Sequence, residues 1–285
     1  MSTDFAGLRV LSLESRRAWE IATLIANCGG RPRVVSSVRE VPIESNREGI
    51  DFARQLADKR LDMVIFMTGV GVRLLLRVVE TAYSREEFVA SLSRIAVVTR
   101  GPKPTAVLRE INVPISAIVP ETNTWRDLLT LLDERPDALP LQGRRVALQE
   151  YGVINPELTK GLEQRGAEVV SVPVYEWALP EDTGPLRDAV SSILGGEIDV
   201  FLVTASVQVR HLFEVAEGMG FREKLGVALG RTFIASIGPL TSEELRRHGL
   251  SVDMEPSHPK MGFLVKEAAE RASLGLHEKR NGPAR

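Results

Sequence analysis

Asp62-Met63-Val64-Ile65-Phe66-Met67-Thr68 and Asp199-Val200-Phe201-Leu202-Val203-Thr204-Ala205 carry one pattern. An acid precedes a short, wholly apolar run, and a threonine ends it. Such a run suits a strand covered on both faces. The blocks around it repeat too. Gly7-Leu8-Arg9-Val10-Leu11-Ser12-Leu13-Glu14 is echoed by Gly143-Arg144-Arg145-Val146-Ala147-Leu148-Gln149-Glu150. Ile95-Ala96-Val97-Val98 leads to Gly101-Pro102, and Ile234-Ala235-Ser236-Ile237 leads to Gly238-Pro239. Asp62 to Gly101 and Asp199 to Gly238 are both 39 residues, while Gly7 to Asp62 is 55 and Gly143 to Asp199 is 56. Two copies of ~140 residues indicate duplication of a domain, not an array of ~20–50-residue units.

Each copy alternates apolar runs with amphipathic stretches. In the first, strands are expected at 8–13, 33–38, 62–67, 95–99 and 115–119. Helices are expected near 16–28, 47–60, 70–82, 85–93, 103–110 and 124–134. Alternation of this kind implies α/β architecture with parallel sheets and helices on both faces. The prolines, charges and glycine of 133–143 read as the connector between copies. Residues 33–43 and 167–178 occupy equivalent places and are longer than ordinary strands. They suit long strands passing between domains, with the first βα unit of one copy packed on the sheet of the other. Periodicity alone leaves that open.

Composition narrows the function. The 285 residues carry 36 Lys plus Arg against 38 Asp plus Glu, a net charge of −2, which excludes a global field for nucleic acid. Aromatics at 5% argue against a base-stacking platform. One cysteine, Cys28, and four scattered histidines offer no internal disulfide and no metal spacing. The start lacks a signal-peptide pattern and no apolar run of ~18 residues occurs, so a soluble cytoplasmic protein is expected.

In open parallel sheets ligands bind beyond the carboxyl ends of the strands, which selects a few junctions. Thr68-Gly69-Val70-Gly71 and Thr204-Ala205-Ser206 follow the two apolar runs. Arg100-Gly101-Pro102-Lys103-Pro104-Thr105 and Gly238-Pro239-Leu240-Thr241-Ser242 follow the next strands. Tyr151-Gly152 follows the first strand of copy two, with Ser15-Arg16-Arg17 as its counterpart. Glycines permit close backbone approach, and helix-start N–H groups attract anions. The hydroxyls serve equally well as helix caps. Arg100 and Lys103 suit either a ligand or a solvated surface. Tyr175, in the long stretch, is either a packing residue or a proton donor. There is no Walker A loop, nucleophile elbow or complete dinucleotide fingerprint. Chemistry without such sets relies on binding, orientation and hydrogen bonding.

From Gly7 to Ala272 the chain resembles the uroporphyrinogen-III synthase family. The resemblance rests on Gly-Leu-Arg-Val-Leu at 7–11, Asp62-Met-Val-Ile-Phe with Thr68-Gly-Val-Gly, and Gly101-Pro-Lys-Pro-Thr. Copy two adds Val172-Pro-Val-Tyr175, Asp199-Val-Phe-Leu-Val-Thr204, Ala235-Ser-Ile-Gly-Pro-Leu-Thr241, Leu245 and Gly249-Leu250. It implies two flavodoxin-like α/β domains joined by a two-stranded ladder, with the active site in a cleft between them. The implied domains are 1–37 with 177–272, and 44–170. The ladder would be 38–43 and 171–176, and 273–285 a disordered tail. The implied reaction cyclises hydroxymethylbilane to uroporphyrinogen III, losing water and inverting ring D, with no metal or cofactor. By motif, Tyr175 would assist hydroxyl departure, with Thr241 and Thr105 as further catalytic residues. Arg16, Thr68, Gly69, Gly71, Arg100, Gly101, Lys103, Tyr151, Gly152, Thr204, Ser206, Gly238, Pro239 and Ser242 would bind the eight-carboxylate substrate. A monomer is expected, with possible hand-over from hydroxymethylbilane synthase and no nucleic-acid or membrane partner. Gly-Val-Gly after Thr68 and Leu240 depart from the commoner family pattern. The alternative function is a non-catalytic tetrapyrrole- or anion-binding module of the same fold.

Overall fold

The computed structural model describes residues 4–43, 47–150, 152 and 154–281. The first copy begins β1 (Arg9–Ser12), α1 (Ala18–Asn27), β2 (Arg31–Val34), β3 (Arg39–Pro42), α2 (Arg47–Ala57) and β4 (Met63–Phe66). It continues α3 (Gly69–Val79), α4 (Arg85–Leu92), β5 (Ala96–Thr99), α5 (Pro102–Glu110), β6 (Ala117–Ile118) and α6 (Trp125–Asp133). The second begins β7 (Arg145–Gln149), α7 (Pro156–Glu163), β8 (Glu168–Val172), β9 (Tyr175–Ala178), α8 (Gly184–Leu194) and β10 (Val200–Val203). It ends with α9 (Ser206–Gly218), α10 (Arg222–Leu229), β11 (Phe233–Ser236), α11 (Pro239–Arg247) and α12 (Met261–Asn281). The chain divides into two compact units, Met1–Arg39 with Ala178–Arg285, and Glu40–Trp177.

The copies exchange their opening strands. One sheet has the order β11-β10-β1-β2, the other β6-β5-β4-β7-β8. All their pairings are parallel, with Leu11 beside Phe201 in one and Ile65 beside both Val98 and Leu148 in the other. β4 and β10 are buried at every position, as their unbroken apolar runs require. Helices cover both faces of each sheet, giving two apolar layers per unit. Each Leu, Ile or Phe buried there contributes ~1.5–3 kcal/mol.

Each of the two long stretches breaks into two strands. Pro173 separates β8 from β9, since it has no N–H for a ladder. In the other stretch the backbone turns to side chains from elsewhere in the chain: Ser37 and Val38 N–H both donate to Ser15 Oγ, at 3.3 and 3.1 Å. His211 Nδ1 lies 2.6 Å from the Ser37 carbonyl oxygen. β3 and β9 form a two-stranded antiparallel sheet. Its second strand is therefore Tyr175–Ala178, displaced from the expected 171–176, of which Ser171 and Val172 belong to β8.

A second correction concerns the tail. The residues from Ser273, expected to be disordered, continue α12 through Asn281. Ala268, Ala269, Ala272 and Leu276 are all buried, so the apolar stripe outlasts the polar composition that suggested disorder. Lys279 closes the helix end by donating to the Thr232 carbonyl at 2.9 Å and pairing with Asp253 at 2.7 Å. The connector at 133–143 is similarly anchored, with Leu139 and Leu141 in the core of Glu40–Trp177.

Candidate active site

Within Glu40–Trp177 the register aligns Phe66 with Thr99 and Gln149, so three strands end together. Thr68 leaves β4 extended and caps α3, its hydroxyl accepting from Gly71 N–H at 3.0 Å. The same hydroxyl lies 3.2 Å from the Tyr175 hydroxyl. Thr68 N–H donates to Gln149 Oε1 at 3.3 Å, and Gln149 Nε2 donates to the Glu150 carbonyl. Tyr175 and Gln149 are both buried. The Tyr175 ring lies in the same apolar core as Phe66, Ala147, Val172 and Val174, and its hydroxyl reaches the strand-end polar groups. Trp177 stands edge-on to it, centroids 6.5 Å apart.

The glycines here answer to close packing. A Cβ on Gly69 would sit 2.9 Å from the Lys103 carbonyl oxygen, because α3 crosses α5 there. A Cβ on Gly71 would overlap the Gln149 amide. Gly152 has φ +82°, and a Cβ there would lie 2.7 Å from the Trp177 ring. It also bridges to Glu176 and accepts from Trp177 N–H at 3.3 Å. Tyr151 lies outside the described residues.

Thr105 is buried, and its hydroxyl donates to the Gly101 carbonyl at 2.8 Å while meeting Thr99 Oγ1 at 2.6 Å. It holds the Gly101-Pro102 turn closed, so the structure does not present this expected catalytic hydroxyl at the surface. Arg100 is half-buried at the end of β5, and Lys103 is exposed in the first turn of α5.

The other unit repeats these devices. Ser242 Oγ donates to Ser236 Oγ at 2.9 Å, which donates to the Gly238 carbonyl at 3.0 Å. Ser242 is thus the counterpart of Thr105, and Pro239 opens α11 as Pro102 opens α5. Thr241 lies one position earlier in the first turn. It is buried, and among the described residues its hydroxyl forms no protein hydrogen bond. Thr204 is committed: its hydroxyl donates to Glu14 Oε2 at 2.5 Å and accepts from Gln208 Nε2 at 2.8 Å. Its N–H donates to Gln208 Oε1 at 2.9 Å. Ser206 begins α9, and Arg16 is exposed ahead of α1.

Gln149, Gln208, Glu14 and Glu150 are polar groups of these junctions that the motif reading passed over. Glu14 and Glu150 end the repeated octapeptides, and Gln149 interrupts an apolar strand; those were the available signals. Glu150 is 2% exposed. Burial pushes its carboxyl up to about 7, against the lowering effect of hydrogen bonds from Ser171 Oγ and Asn155 N–H. Among the described residues no group of three His, Cys, Asp or Glu is placed to hold a metal. No helix among them is long and apolar enough to cross a membrane.

A family model for uroporphyrinogen-III synthase HemD matches residues 20–266. The chain belongs to the uroporphyrinogen-III synthase family. Among relatives, the Bacillus subtilis "Uncharacterized protein YjjA" is 29% identical over 95% of this chain and 98% of its own. A Methanothermobacter thermautotrophicus protein named "Putative uroporphyrinogen-III synthase" is 32% identical over 82% of this chain and 87% of its own. The crystal structure of a mutant uroporphyrinogen III synthase from Thermus thermophilus matches with TM-score 0.71 and 26% identity, covering 94% of this chain and all of that one. The chain therefore shares its overall fold with a solved uroporphyrinogen III synthase.

Proposed function

We propose that the protein cyclises hydroxymethylbilane to uroporphyrinogen III. Departure of the terminal hydroxyl breaks one C–O bond, a proton joins the leaving oxygen, and water and an azafulvene result. Ring D is inverted before the macrocycle closes. Bonds are redistributed within one substrate, so the reading calls for no metal and no organic cofactor. In it Tyr175 gives a hydrogen bond to the departing oxygen, oriented by Thr68. Thr68 Oγ1 already accepts from Gly71 N–H, so in this reading its own hydroxyl proton goes to the Tyr175 oxygen and the Tyr175 proton is left for the departing oxygen. Thr241 offers a hydroxyl at the start of α11. The first turns of α3, α5 and α7 in one unit, and α9 and α11 in the other, supply N–H donors suited to carboxylates. We place this activity in the cytoplasm, in a monomer that takes its bilane from hydroxymethylbilane synthase.

The observation that carries this reading is the Tyr175–Thr68 pair at the strand ends of a family member. A coupled assay tests it: porphobilinogen and its deaminase supply the bilane, and oxidised products are separated by isomer. Predominant isomer III supports synthase activity; isomer I alone refutes it. A second reading, tetrapyrrole or anion binding without turnover, is favoured by the internal commitment of Thr105, Thr204 and Ser242. Tight product binding with no isomer III would select it.

A further inference from the structure

Glu150 stands out as a buried acid that the proposed reaction does not use. Its Oε1 accepts from Ser171 Oγ at 3.2 Å, while Oε2 is buried and has no hydrogen-bond partner among the described residues. The groups facing the carboxyl are Ser171 on β8 and the Asn155 N–H at the start of α7. Glu157, Lys160 and Glu163 on α7, Glu168 on β8, and Arg47 and Glu48 on α2 beside Ser171 are exposed, Asp51 on α2 is half-buried, and none contributes to its ionisation. A neutral acid can occupy this place. An ionised one would be a buried charge held by two neutral donors with no cation contributing to it, a costlier state.

The backbone of this residue belongs to the framework around Tyr175. The Glu150 carbonyl accepts from Gln149 Nε2, whose Oε1 holds Thr68 N–H, whose hydroxyl meets Tyr175. Glu150 N–H donates to the Val172 carbonyl at 3.1 Å, on the strand that leads through Pro173 into β9. Two residues onward, Gly152 bridges to Glu176 and lies under the Trp177 ring. Movement of Glu150 toward solvent would therefore disturb Tyr175 through its hydroxyl partner and through its strand.

We propose that Glu150 is a positioning residue for Tyr175, holding the end of β7 in place while it carries its proton and releasing it on ionisation. The inference rests on the assignment of Tyr175 to hydroxyl departure, and it adds a proton-dependent control of that step. The carboxyl titrates at about 7, which puts the control within the physiological range.

Two readouts test it in the full chain. Trp177 is one of three tryptophans, so a Trp19→Phe/Trp125→Phe background makes its emission a local reporter. We expect an emission transition centred at about pH 7, absent in Glu150→Gln. Turnover should fall by up to about tenfold above the midpoint and then level off, the loss expected when the Tyr175 hydroxyl is removed altogether, whereas Glu150→Gln keeps its rate to within about threefold across that range, with KM unchanged. Ser171→Ala removes a bond that favours the ionised form, so both midpoints should move upward. The same transition surviving in Glu150→Gln, no transition in the parent, or an unmoved midpoint in Ser171→Ala would overturn the proposal. If the parent makes no isomer III at any pH, the functional reading fails, and the emission data still decide whether Glu150 controls the strand end.

Discussion

Replacing Tyr175 by phenylalanine removes one hydroxyl from a ring that is 3% exposed and otherwise packed among apolar side chains. The ring keeps its contacts, so no cavity opens. Thr68 Oγ1 loses a partner 3.2 Å away but keeps the Gly71 N–H, so Thr68 is not stranded. The stability cost should be that of one net hydrogen bond, about 1 kcal/mol, which lowers Tm by about 2–4 °C in a chain of this size. The effect on rate has a ceiling. Losing a single donor to developing charge costs up to ~10²–10³-fold when that donor acts alone. Hydroxyl departure from this substrate is intrinsically easy, so a loss on the order of tenfold is expected, in kcat with KM unchanged. The coupled isomer assay measures the rate, and thermal unfolding of the same preparation measures stability. An unchanged kcat would remove Tyr175 from the chemistry. A stability loss above about 3 kcal/mol would show that its hydroxyl holds the fold instead.

Other positions separate packing from function. Gly71→Ala gains about 1 kcal/mol of helix propensity but displaces the buried Gln149 amide from two hydrogen bonds, each costing about 1–3 kcal/mol when broken. A net loss of about 2 kcal/mol is expected in denaturant unfolding, whereas Gly226→Ala, with open space around its Cα in α10, should gain about 0.5–1 kcal/mol. Equal effects at the two glycines would contradict the packing account. Because burial pushes the Glu150 carboxyl from 4.5 up to about 7 in the fold, its own contribution to stability is complete below about pH 4 and is lost, by about 3 kcal/mol, as pH rises through 7. That decline should vanish in Glu150→Gln, and a parallel decline there would assign it to another group. Asp199 has the opposite sign. Burial raises its carboxyl, but the Arg9 side chain and backbone with Arg280 overcome this and hold it well below the usual range. Its contribution is present above about pH 4 and fades as pH falls further, so acid titration of Asp199→Asn should show a smaller low-pH loss than the parent. Leu276→Ala should cost about 2–3 kcal/mol in thermal unfolding; no change would mean the end of α12 is not docked.

The repeat, the α/β alternation and the strand-end junctions were legible in the sequence because they depend on neighbouring residues. A run such as Met63–Phe66 declares burial on both faces by its composition, and equal spacing from Asp62 and Asp199 reveals duplication without coordinates. The continuation of α12 past Ser273 was written there too, in Ala268, Ala269, Ala272 and Leu276, but polar residues between them hid a stripe that only the helical period exposes. Where β1 and β7 lie was left open by periodicity and implied only by the family resemblance; tertiary structure decided it, because a parallel strand chooses its sheet by pairing with β10 or β4 far along the chain. It also decided which hydroxyls are committed. Thr105, Thr204 and Thr241 look alike in a motif, yet one closes a turn on Gly101, one is held by Glu14 and Gln208, and the hydroxyl of the third forms no protein hydrogen bond among the described residues. A side chain's chemistry is set by its residue type, but its availability depends on partners that the fold brings from distant positions, here up to 190 residues away between Glu14 and Thr204.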